Sequence, residues 1–207
     1  MQAPSDVAAS QPLSGWLFNP FHYVAGARAL LAGVALILLA GWIGSASRTH
    51  FDGILDFHSG RGAPLWVFLA EGLIDWLAMA ALLLVAAVIL VRTRFRVVDV
   101  LGTQALARAP TLITLVVVLL PGYRRTIDAL VSGQATGLAE LTAGFYLALV
   151  VGLLMMVWMV LLMYRGFAVS CNVSGGKAIA SFIAALILAE VLSKVAVLRL
   201  LAWGGNP

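Results

Sequence analysis

Glu190 and Lys194 stand one helical turn apart in SFIAALILAEVLSKV, residues 181–195, a stretch otherwise apolar almost throughout. At this spacing a carboxylate and an ammonium share one helix face and can pair. A second such set, Glu71 and Asp75, lies in the apolar run WVFLAEGLIDWLAMAA, and Arg199 follows Lys194 by little more than a turn. A charge left facing hydrocarbon costs at least about 2.5–3.5 kcal/mol on insertion scales, so these groups must find partners. Two chemistries are open to them. The charges can neutralise one another and pin helix to helix, or they can form a path for protons or cations, for which intramembrane acids and bases are the usual material.

Depth selects the pairs. A helix starting at Ile179 carries Glu190 about 17 Å along its axis and Lys194 about 6 Å further, while a helix entering from the other side carries Glu71 about 9 Å and Asp75 about 15 Å deep. Asp75 then lies level with Lys194, and Glu71 level with Arg199. The expectation is an interhelical network of Glu71, Asp75, Glu190, Lys194 and Arg199.

Other residues offer weaker chemistry. His50, Asp52, Asp56 and His58 are metal-ligand types, and imidazole with carboxylate suits zinc and similar ions; the same residues serve equally as a solvated polar loop. NVSGGK, residues 172–177, has glycines beside a lysine but not the spacing of a Walker motif. It reads as a tight turn, with Arg165, Gly175, Gly176 and Lys177 available to anionic headgroups. The lone Cys171 excludes an intramolecular disulfide and a multi-cysteine metal site. The sequence shows no HExxH, GxSxG or Walker pair, and neither an enzymatic activity nor a cofactor is expected.

The elements that position these side chains follow from composition. The chain has 207 residues, 62% hydrophobic and 11% charged, with a mean hydropathy of +1.03. That is an all-α polytopic membrane protein, because a span needs about 20 apolar residues and such runs fill most of the length. Spans are expected at about 24–45, 65–91, 141–164 and 179–203. Residues 97–120 form a further span if Arg108 and Pro110 merely interrupt it, and then Asp99, Thr103 and Arg108 must face protein or headgroups. Residues 1–20 read as a short cytoplasmic tail. The net charge of +4 sits at span ends, which points to membrane orientation and not to nucleic acid. Five spans place Arg28, Arg92, Arg94, Arg96, Arg165 and Lys177 inside, against Arg48, Arg61, Arg124 and Arg125 outside.

Asn19 and Pro20 precede the first span, Pro110 breaks the third in ALARAPTLI, and YRGFAVSCNVSGGKAIASF joins the fourth to the fifth. This arrangement resembles the Ypt-interacting protein (Yip) family in its bacterial form, over residues from about 19 to 200. The resemblance implies one five-helix membrane domain over 21–207, with the amino terminus cytoplasmic and the carboxyl terminus outside. It also implies a link to transport machinery such as ABC-type exporters, although RGAPLW and ALARAP depart from the eukaryotic motifs, so GTPase binding is not carried over.

Two functions are consistent with these features. One is a scaffold or accessory subunit of a transport or membrane-organising complex in the bacterial inner membrane, with lipid, other membrane subunits or further copies of itself as partners. The other is a small ion- or proton-coupled transporter or channel that uses the intramembrane charges.

Overall fold

The structure is a computed structural model that describes residues 13–90, 94–134 and 141–203; Arg92, among the basic residues expected inside, lies outside them. Five helical segments, Gly26–Ser47, Leu65–Leu90, Val97–Val118, Ala143–Cys171 and Gly175–Ala202, are long and apolar enough to cross a membrane. The chain is thus an all-α integral membrane protein. A short helix α1 (Leu13–Phe18) and a 3-10 turn (Pro20–His22) precede the first span, α2 (Gly26–Ser47). Next come a hairpin of β1 (Thr49–His50) and β2 (His58–Ser59), then α3 (Leu65–Leu90). The third span is two helices, α4 (Val97–Leu106) and α5 (Pro110–Val118). Helix α6 (Pro121–Val131) leads to the last two spans, α7 (Ala143–Cys171) and α8 (Gly175–Trp203).

The break in the third span has a local cause. Pro110 lacks the N–H that would continue the helix, and its ring crowds the carbonyl four residues back. Residues 107–109 therefore make short turns, with Ala109 N–H donating to the Leu106 carbonyl at 3.1 Å and the Thr111 hydroxyl to that of Arg108 at 2.7 Å. Val97–Val118 is still long and apolar enough to cross, with Arg108 and Pro110 as an interruption within it.

Close approach of backbones organises one side of the bundle, as small residues do between membrane helices. A Cβ on Gly33 of α2 would meet the backbone of Ala105 and Leu106, and one on Gly102 of α4 would lie 2.5 Å from the Gly26 carbonyl oxygen. Polar ties join the other elements. The buried Gln104 amide donates to the Met163 carbonyl of α7 at 2.9 Å, and the Trp76 indole of α3 donates to the Leu101 carbonyl at 3.0 Å. The apolar core lies among α3, α4, α7 and α8, where Met79, Leu83, Val100, Met163, Phe167 and Ala189 are fully buried.

Two boundaries differ from those read in the sequence. Helix α7 continues to Cys171, so Arg165 lies within it, and only residues 172–174 separate it from α8, where Gly175, Gly176 and Lys177 form the first turn. Asn172 in the left-handed region (φ 50°) and Gly175 (φ 81°) make the reversal. The polar stretch after the third span is helix α6, one face of which is apolar. Tyr123 and Thr126 are buried, Arg124 and Arg125 are exposed, and Tyr123 Oη donates to Ser59 Oγ at 2.9 Å.

Overpacking the contact between α2 and α4 should cost at least about 1–3 kcal/mol. Gly33→Leu is expected to lower the unfolding temperature in detergent. Gly176→Ala, at a position with nothing within 4 Å, is expected to leave it unchanged. An unaltered Gly33→Leu melt would contradict this packing.

Candidate functional site

The charged side chains gather around the hairpin end of the bundle, where the segment joining α2 to α3 folds down between the spans. Its Ile54 is 2% exposed. A Cβ on Gly53 would lie 2.6 Å from Glu190 Oε1 and 2.8 Å from Lys194 Cε, so the segment presses against α8. A Cβ on Gly152 of α7 would lie 2.5 Å from Phe57 Cζ, which seats the segment on its other side.

Irregular backbone at this depth needs internal hydrogen-bond partners, because hydrocarbon supplies none. Two carboxylates from different spans provide them. Glu71 of α3 accepts from the Phe51 N–H at 3.3 Å through Oε2. Glu190 of α8 accepts from the Leu55 N–H at 2.8 Å through Oε2, while its Oε1 lies 3.2 Å from Lys194 Nζ. The ammonium also reaches back to the loop, donating to Asp56 Oδ2 at 2.8 Å.

Both ring nitrogens of His50 face acceptors. Nδ1 lies 2.8 Å from Glu71 Oε1 and Nε2 lies 3.1 Å from the Arg61 carbonyl oxygen. Only the imidazolium can donate to both. Burial works against that charge, but the hydrogen bond and charge of Glu71, the Arg61 carbonyl and the Asp52 carboxylate outweigh it and raise the pKa above its ordinary value. The ring also stacks on Phe68, with centroids 4.3 Å apart.

The deepest pair is Asp75 with Arg108, which are 0% and 5% exposed. Arg108 Nη1 lies 3.4 Å from Asp75 Oδ2, a long contact, and Asp75 Oδ1, Arg108 Nε and Arg108 Nη2 have no protein partner. Arg108 borders two cavities of about 20 Å³, one beside Thr114 and Met159 and the other beside Thr49 and Gly72. Each has room for about one water molecule. The break at Pro110 sets this guanidinium within the bundle.

Several sequence-based pairings are corrected by this geometry. Asp75 engages Arg108 and not Lys194, and Glu71 engages His50 and not Arg199. Arg199 is exposed and makes no ion pair or hydrogen bond among the described residues. The five-residue network is thus three separate groups tied to a loop and to the third span. The pairing of Glu190 with Lys194 along one face is present. His50, Asp52, Asp56 and His58 do not converge as a ligand set, since His50 is taken by Glu71 and Asp56 by Lys194. His58 Nδ1 lies 3.3 Å from Asp52 Oδ1, and no group of three or more potential ligands is assembled among the described residues. Lys177 and Arg165 are both exposed, in the first turn of α8 and two turns from the end of α7 respectively. Spacing gave no sign that Arg108 would meet Asp75, and the only available signal was the cost of leaving an arginine in lipid.

No family model matches the chain, and no curated protein or solved structure matches it either.

Removing one member of a buried pair leaves the other uncompensated, at about 3–5 kcal/mol, whereas replacing both with apolar groups is often neutral. Arg108→Met is therefore expected to destabilise strongly, and adding Asp75→Leu to restore most of the loss; no recovery in the double variant would show that the two groups are not coupled.

The His50 contribution has a definite pH sign. Because its folded pKa is raised, the stabilisation is fully present below the unfolded value of about 6.5 and is lost as pH rises through the folded value. The melting difference between the protein and His50→Gln should be widest near pH 6 and shrink toward about pH 9. A gap that widens with pH would refute the imidazolium.

Proposed function

We propose that this protein is a non-enzymatic scaffold or accessory subunit of a transport or membrane-organising complex, such as an ABC-type exporter, in the bacterial inner membrane. One observation carries this reading. The intramembrane carboxylates Glu71, Asp75 and Glu190 are each engaged by another element of the same chain. The cavities beside Arg108 have room for about one water each, which suits a clamp better than a continuous path. The resemblance to the Yip family supports the same reading and, with the positive-inside bias, an amino terminus in the cytoplasm. Broad apolar faces remain for neighbouring helices or lipid, including Leu147, Leu154 and Val157 on α7 and Ile183, Ile187 and Val191 on α8.

A second reading, a small proton- or ion-coupled transporter, is favoured by the orphaned polar atoms of Arg108 beside those cavities and of its partner Asp75. Purification of the tagged protein from its native membrane in mild detergent, followed by mass spectrometry, separates the two. Transporter subunits retained in fixed ratio are the expected result. Recovery of the chain alone, together with proteoliposome ion flux that Asp75→Asn abolishes, would overturn the accessory role.

A further inference from the structure

An apolar groove of about 430 Å³ runs along the broken third span, between α2 and α7. Its walls include Val24, Ala32, Leu106, Pro110, Trp158 and Leu162, and its far end is Ile113. Helix α1 lies beside it, held by a 2.9 Å hydrogen bond from the Trp158 indole to the Leu17 carbonyl.

Two cations stand near one level on the two helices that wall the groove. Arg28 stands one turn before Ala32 on α2, and Arg165 follows Leu162 by three residues and Trp158 by seven on α7, so each lies on the face that lines the groove. The helix contacts set their heights. A Cβ on Gly102 would lie 2.5 Å from the Gly26 carbonyl and 2.9 Å from the Leu30 nitrogen, which places Arg28 level with Gly102. A Cβ on Gly166 would lie 2.9 Å from Thr103 Cβ, which places Arg165 level with Thr103. Both arginines are exposed, and neither makes an ion pair or hydrogen bond among the described residues.

From that level the apolar lining continues along the third span from Leu106 to Ile113, about 6–16 Å further along the axis. Half of a hydrocarbon core of about 30 Å is about 15 Å, so the distance from the cations to the far end of the groove matches the depth of one leaflet. A pair of cations at the head of a leaflet-length apolar channel has the chemistry of an anionic amphiphile site.

We propose that the groove holds one acyl chain of an anionic glycerophospholipid whose phosphate lies between Arg28 and Arg165. The lipid fills the space left by the break at Pro110, and α1 covers its flank. The site is independent of the scaffold reading, since neither arginine nor groove belongs to the clamp.

Native mass spectrometry of the delipidated full chain tests this, with phosphatidylglycerol and phosphatidylcholine of matched chains as probes. Retention of one phosphatidylglycerol in preference to phosphatidylcholine is expected. Arg28→Gln with Arg165→Gln should weaken it by about fivefold for each arginine and abolish the preference. Ile113→Trp, which narrows the far end, should weaken both lipids. Melting temperatures verify that each variant is folded; all three positions are exposed. Equal retention of the two lipids, a preference that survives the double variant, or displacement by glycerol phosphate at equal concentration would overturn the proposal.

Discussion

The structure depends on one constraint, that a non-helical segment inside a membrane bundle must find every hydrogen bond within the protein. The loop joining α2 to α3 meets it by borrowing carboxylates. Glu71 takes the Phe51 N–H and Glu190 takes that of Leu55, so two spans distant in sequence share one loop. Acids placed there would cost several kcal/mol in lipid. Beneath the loop they are acceptors for its backbone N–H groups, and His50 and Lys194 balance their charge. The apolar residues of the loop, Ile54 and Phe57, then fill space that side chains of the spans leave open.

The broken third span solves a related problem at greater depth. Arg108 sits in the turns that precede Pro110, and its guanidinium meets Asp75 inside the core. The cost is an incompletely satisfied pair, with three orphaned polar atoms, two of them on the Arg108 guanidinium that borders small cavities. Close packing of α2 through Gly26 and Gly33 holds α4 at the register this arrangement requires.

Hydropathy made four of the spans legible, because each is long and carries few charges, whereas Arg108 and Pro110 left the third conditional. The turn-spaced partners Glu190 and Lys194 were legible for the same reason, since local geometry alone joins them. Pairings across helices were not. Axial depth matched Asp75 to Lys194 and Glu71 to Arg199, but depth is one coordinate, and it carries no information about rotation around the helix or about a loop that descends between the spans. The rule that Arg108 must avoid lipid pointed inward correctly, yet it named no partner. Helix α6 was hidden because its apolar residues are spaced around a turn and raise the local hydropathy very little. The metal-ligand types of the hairpin segment were legible as a set, but Glu71 of α3 engages His50 and Lys194 of α8 engages Asp56.

The loop clamp also bears on how the chain is made. Glu190, which receives the Leu55 N–H and positions Lys194 against Asp56, belongs to the fifth spanning helix in chain order among the described residues. While the first four spans are entering the membrane, the loop after α2 has its α3 partner but not its α8 partner. The early helices must wait, with Leu55 N–H and Asp56 uncovered, in an environment wet enough to tolerate them. Arrival of α8 supplies the partners of the Leu55 N–H and of Asp56, so a nascent chain that still lacks α8 carries at its hairpin end polar groups that the folded protein pairs.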